Sequence, residues 1–170
     1  MTAYIALLRA VNVGGTGKLP MTELASMCEQ AGFTSVKTYI ASGNVVFKSK
    51  LPEAKVKAAL EGSLAKYAGK PVGVHVRTAA EVAAVLAANP FHEMPGNRTV
   101  AIFIDSQPPA GTLASVTGQR DEQLGLGTRE VYVYYGDGMA DSKLKIPCAK
   151  TGTARNMNTV AKLAEMAAKL

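Results

Sequence analysis

Three polar stretches of this 170-residue chain have the residue types that hold an anion. The first is Asn12-Val13-Gly14-Gly15-Thr16-Gly17-Lys18, which follows Arg9 at the end of an apolar run. Backbone N–H groups of a glycine-rich loop ahead of a helix attract anions, because unpaired donors and the helix dipole add together. Arg9 and Lys18 contribute charge to it. The spacing matches neither the P-loop nor the dinucleotide fingerprint, and Gly14 and Gly15 equally suit a loop that needs positive φ. The second stretch is the turn Ser42-Gly43-Asn44, where Ser42 and Asn44 either offer donors to a ligand or bond their own backbone. The third gathers Lys143, Lys145, Lys150, Thr153, Arg155, Asn156, Asn158 and Thr159. Arg155 and Asn156 are expected in the first turn of the last helix, where a cation opposes the helix dipole. Asn158 and Thr159 are poor interior helix residues. Residues that break local preference gather at functional sites; the competing role is a buried polar network that docks the helix.

Other chemistry finds little support. His75 lies in an alternating strand, read as surface or half-buried, and His92 in a Pro-flanked loop. Neither has sequence neighbours suited to a metal site or a nucleophile–base pair. Cys28 and Cys148 follow no metal-ligand spacing, and Cys28 falls on the apolar side of a helix, where a thiol acts as a small hydrophobe. Asp105, Asp137 and Asp141 end or follow strands, where carboxylates are commonplace. No catalytic residue, metal or cofactor is assigned, and whether the chain is an enzyme stays open.

Composition sets the frame. Apolar residues are 48% and charged residues 19%, which excludes a disordered chain. No run approaches the roughly 18 apolar residues of a membrane span. The opening apolar stretch has no basic segment before it and reads as a strand rather than a signal peptide. A cytoplasmic protein without membrane contact is expected. The net charge is +6, unevenly spread. Residues 1–78 hold ten Lys/Arg and four Asp/Glu, residues 79–142 three and eight, residues 143–170 six and one. Either the basic ends face an anionic partner, or the acidic middle neutralises them internally.

The elements that must position these residues follow from periodicity and breakers. Strands are expected over 3–9, 34–40, 45–48 and 72–77, with helices from Met21 to Ala31 and over 53–68. Pro52 suits the start of the second helix and Gly69 its end. Val56, Leu60, Leu64 and Tyr67 lie on its buried stripe. This order is the β-α-β-β-α-β of a ferredoxin-like subdomain, residues 1–78. Residues 79–170 read as a second, smaller α+β subdomain packed against the first. It has a helix over 79–88, strands over 98–104 and 129–135, a weak helix to about Val116, a short helix at Ser142–Leu144 and a C-terminal helix over 154–168. Thr153 or Asn156 caps the last helix. Strand, helix, strand and Gly turn recur in the two halves with little residue identity, a repeated topology.

Tyr4-Ile-Ala-Leu-Leu-Arg-Ala-Val-Asn-Val-Gly-Gly15, Leu19-Pro-Met and Thr38-Tyr-Ile-Ala-Ser-Gly-Asn-Val-Val-Phe47 resemble the first half of the bacterial domain-of-unknown-function family numbered 1697. Ser142-Lys-Leu144 and Thr153-Ala-Arg-Asn-Met-Asn-Thr-Val160 resemble its C-terminal signatures. The resemblance implies a ferredoxin-like subdomain plus a second α+β subdomain, and implies little about activity. Ala10 stands where the family usually has Gly, and Met157 where it usually has Trp.

Three functions are expected to compete. In the first, Arg9, Asn12, Gly14, Gly15, Lys18, Ser42, Asn44, Lys143, Arg155 and Asn156 converge on a basic cleft between the subdomains that binds a phosphorylated small molecule or nucleotide. In the second, the basic ends contact nucleic-acid phosphates, with binding that weakens steeply with salt. A standard RNA-recognition surface is disfavoured, because Tyr4 and Phe47 are the only aromatics on the first and third strands. In the third, the polar motifs hold a structural or protein-interaction domain together. Oligomeric state is not legible.

Overall fold

The structure, a computed structural model, describes residues 1–12 and 18–170. Gly14 and Gly15 of the expected anion loop lie outside the described residues. The described chain is α+β, with two four-stranded antiparallel sheets and four α-helices, one of them C-terminal. It divides into two compact units, Met1–Val82 with Leu163–Leu170, and Ala83–Lys162.

In the first unit the order is β1 (Thr2–Leu8), α1 (Met21–Gln30), β2 (Thr34–Thr38), β3 (Asn44–Ser49), α2 (Glu53–Ala68) and β4 (Val74–Thr78). The sheet runs β2-β3-β1-β4, every neighbouring pair antiparallel. The apolar run of β1 places it centrally, buried on both faces. Leu24, Met27 and Cys28 of α1 and Val56, Leu60 and Leu64 of α2 pack on Tyr4, Ala6, Leu8, Val45 and Phe47. Burial pushes the Cys28 thiol up to about 12, so it stays protonated and inert. Phe33 stacks on Phe47 with ring centroids 4.4 Å apart, so this aromatic belongs to the core. Gly69 ends α2 in the left-handed region at φ +71. Two expectations are corrected here. His75 is buried, because β4 is covered on both faces. Tyr67 is 46% exposed, because it lies in the last turn of α2.

The next helix, α3 (Ala79–Ala87), spans the chain boundary between the units. Its start is a capping box: Glu81 N–H donates to Thr78 Oγ1 at 3.1 Å, and Thr78 N–H to Glu81 Oε1 at 2.9 Å. Then follow β5 (Thr99–Phe103), β6 (Gln123–Leu126), β7 (Glu130–Tyr134), β8 (Thr153–Asn156) and α4 (Met157–Ala168). The second sheet runs β6-β7-β5-β8. Counted within each sheet, both orders are second, third, first, fourth strand, so the repeated topology extends to strand pairing.

The differences from expectation are local. Residues 109–116 form only a 3-10 turn at Leu113–Ser115, since Pro109 and Gly111 oppose an α-helix. The polar stretch 117–128 contains β6, held by its ladder to β7 rather than by intrinsic propensity. The turn before Ser142 is a 3-10 helix at Met139–Asp141, and Ser142–Leu144 follows it outside any helix. The last helix starts at Met157, not Ala154. Thr153–Asn156 instead pairs with β5, Ala101 opposite Arg155. Asn156 is the N-cap, its Oδ1 accepting from Thr159 N–H at 2.9 Å. Met157 is buried and fills its site without a Trp.

Ser142 anchors the chain that follows it. Its hydroxyl donates to Glu122 Oε2 at 2.5 Å, and Arg120 N–H donates to Glu122 Oε1 at 2.6 Å. The Ser142 bond, then the backbone bonds, hold the Glu122 carboxyl below its usual value. A lowered folded-state pKa contributes stability above the unfolded value, about 4.5, that is lost as pH falls through the folded one. Ser142→Ala is therefore expected to flatten the loss of stability on acidification below about pH 4.5. Denaturant midpoints at neutral pH and at acid pH read that difference.

Candidate functional site

One end of the first unit holds a cavity of about 410 Å³. Its position follows from strand pairing. Because β4 pairs with β1, the chain entering β4 meets the chain leaving β1, and Arg9 N–H donates to Gly73 O at 2.9 Å. The last turn of α2 closes the side, bringing Leu64, Tyr67 and Ala68. Val11, Leu19 and Val72 complete an apolar floor. Arg9, Lys18 and Lys70 line the cavity, and no carboxylate does among the described residues. The sequence of residues 13–17 carries no acidic side chain either. The α2 C terminus adds partial negative charge, which Lys66 in its last turn and Lys70 beyond it offset.

The Asn12 side chain joins residues 12, 19 and 41. Asn12 Nδ2 donates to Leu19 O at 2.8 Å and to Ala41 O at 2.8 Å, while Leu19 N–H donates to Asn12 Oδ1 at 2.6 Å. The amide thus ties residue 12 to Leu19 and to the 41–44 turn. Ala10, Asn12 and Ile40 all have positive φ, at 55°, 55° and 49°. A left-handed conformation costs a residue with a Cβ about 1–2 kcal/mol. A glycine at position 10 would avoid this cost. Ala10→Gly is expected to raise stability by about 0.5–1 kcal/mol, the relief less the glycine's extra chain entropy. A higher urea midpoint with unchanged slope checks it.

The expected site residues separate as follows. Arg9 and Lys18 meet at the cavity, and Asn12 frames it. Asn44 is fully buried; its amide donates to Tyr39 O and to Ser42 Oγ, both at 2.9 Å, and so builds the turn. Gly43 has φ +89, and a Cβ there would lie 2.6 Å from Val11 Cγ2. The Ser42–Asn44 turn therefore packs on the end of β1. Lys143, Arg155 and Asn156 belong to the second unit. Lys143 is exposed. Arg155 is 7% exposed, with Nη1 donating to Thr153 Oγ1 at 2.6 Å and to Ala154 O at 3.0 Å. Burial pushes its guanidinium down to about 10, still protonated at neutral pH. Among the described residues no group of His, Cys, Asp and Glu could hold a metal ion, and no helix is long and apolar enough to cross a membrane.

Two lining residues escape a reading of the sequence. Helical periodicity puts Tyr67 on the buried stripe, and Lys70 falls in a featureless connection. A signal for Lys70 exists: a β-α-β-β-α-β order with β4 beside β1 brings the α2–β4 connection next to residues 9–12.

The conserved bacterial protein SP0830 from Streptococcus pneumoniae has a solved structure similar to this one, with a TM-score of 0.81, 25% identity and 98% of each chain covered. Among curated proteins none matches. Residues 1–132 match the family described as protein of unknown function, DUF1697. A chain so matched over most of its length, with the β1 and Ser42–Asn44 blocks in place, belongs to the DUF1697 family.

Proposed function

We propose that the first-unit cavity binds a phosphorylated small molecule or nucleotide. The observation that carries this is the ring of Arg9, Lys18 and Lys70 around a 410 Å³ space with no carboxylate in its described lining. Such a space suits a small ligand. Charge-assisted bonds from Arg and Lys are the strong way to hold phosphate oxygens. The strand order β2-β3-β1-β4 supports a ferredoxin-like reading of residues 1–78. Tyr4 and Phe47 lie in the core, which argues against base stacking on this sheet. The reading needs no contribution from Lys143, Arg155 or Asn156.

Inorganic pyrophosphate is the simplest probe. At a hundredfold excess over its Kd it is expected to stabilise the chain by about 2.7 kcal/mol. That corresponds to a rise in Tm of roughly 5–10 °C for a chain this long. Lys18→Ala with Lys70→Ala is expected to weaken binding at least about a hundredfold, since each charge-assisted bond contributes about 1.5–3 kcal/mol. Both side chains are on the surface, so the fold persists. Absence of any pyrophosphate-dependent shift, or full affinity in the double variant, would reject the assignment.

A further inference from the structure

The two sheets share one strand order but are roofed differently. In the first unit the connection between third and fourth strands is α2, 16 residues long, whose Val56, Leu60 and Leu64 cover the sheet. In the second unit the corresponding connection, residues 135–152, contains only two three-residue 3-10 turns. This strap covers the sheet with Leu144, Ile146, Cys148 and Ala149, packed near Val100, Val131 and Val133. A strap buries less of a sheet face than a helix does, and a cavity of about 590 Å³ lies against it. Ile102, Leu144 and Ile146 line its apolar walls; Tyr135, Lys145 and Lys150 supply polar groups, and no carboxylate lines it among the described residues.

Lys145 is positioned by its backbone. Its N–H donates to Thr117 O at 2.8 Å, and its carbonyl accepts from Thr117 N–H at 3.0 Å. The side chain itself is exposed. A fixed Cα with a solvated ammonium at the edge of an apolar cavity matches a ligand with one anionic head and a hydrocarbon body. The first-unit cavity, with three cations to the strap cavity's two, is the more polar. We propose that the strap cavity binds an amphipathic monocarboxylate, its tail among Ile102, Leu144 and Ile146 and its carboxylate at Lys145.

The test uses the full chain and sodium decanoate below its micelle concentration, followed by calorimetric titration. Saturable binding of one decanoate is expected, with decanol bound about tenfold more weakly, as loss of one ionic contact implies. Lys145→Glu is expected to weaken decanoate about tenfold while leaving decanol unchanged. The substitution keeps the backbone pairing with Thr117, and circular dichroism verifies the fold. Ala149→Leu, which fills the cavity, is expected to abolish binding of both. Pyrophosphate is expected not to compete. Non-saturable uptake, equal affinity for decanol, indifference to Lys145→Glu or Ala149→Leu, or competition by pyrophosphate would each overturn the proposal.

Discussion

Gly118→Ala is expected to destabilise the chain by about 3 kcal/mol, a drop in Tm of roughly 6–12 °C. Two independent costs combine. Gly118 has φ +71, where a Cβ costs about 1–2 kcal/mol. That Cβ would also overlap the carbonyl oxygen of Lys143 and lie 2.8 Å from its carbonyl carbon. Backbone cannot swing aside as a side-chain tip can. The neighbouring bonds between Thr117 and Lys145 hold the strands of this crossing together, so relief requires the strap to lift. Gly118→Asn separates the two costs. Asn tolerates a left-handed backbone but carries the same Cβ. Overlap as the larger cost predicts Asn to be as damaging as Ala; a near-native midpoint for Asn would show that φ alone matters. Lifting the strap also removes the floor under Lys145, so decanoate binding is expected to fall with stability.

The same crossing marks where local sequence signals stop. Apolar continuity in β1 and the breakers Pro52 and Gly69 carry their structural meaning locally, and the first unit is legible down to its order of elements. The repeat between halves is legible as topology, though the second half replaces helices with 3-10 turns and a strap. β6 and β8 are not legible, because four-residue segments without a clear strand pattern become strands only through partners supplied by β7 and β5. Arg155 looks out of place as a helix residue; on β8 it is an ordinary strand residue whose guanidinium bonds its own neighbours. Two of the three cations that line the candidate cavity, Arg9 and Lys18, are visible in the sequence, as is Asn12 beside them. Lys70 depends on a long-range pairing, and the role of Asn12 on partners that sit seven and 29 residues away.

Asn12 offers the second large effect. Asn12→Ala removes two donated bonds and one accepted bond and leaves a Cβ-bearing residue at φ 55. At about 1 kcal/mol net per bond, destabilisation of about 3 kcal/mol is expected, and alanine's poorer tolerance of the left-handed region than asparagine's adds to it. The loss falls on one region, so hydrogen exchange at Leu19 N–H is expected to accelerate well beyond the change in global stability. Asn12→Asp refines the account. The carboxylate still accepts from Leu19 N–H but faces the carbonyls of Leu19 and Ala41 with no donor to offer. It also places a negative charge on the loop that carries Arg9 and Lys18. The aspartate variant should therefore exchange at Leu19 faster than wild type but more slowly than the alanine variant, because Leu19 N–H keeps its acceptor, while binding pyrophosphate more weakly. If both variants kept wild-type exchange, the amide would not be what holds residues 12 and 19 together. If they exchanged fast yet bound pyrophosphate with equal strength, the cavity's anion preference would owe nothing to the charges around this loop.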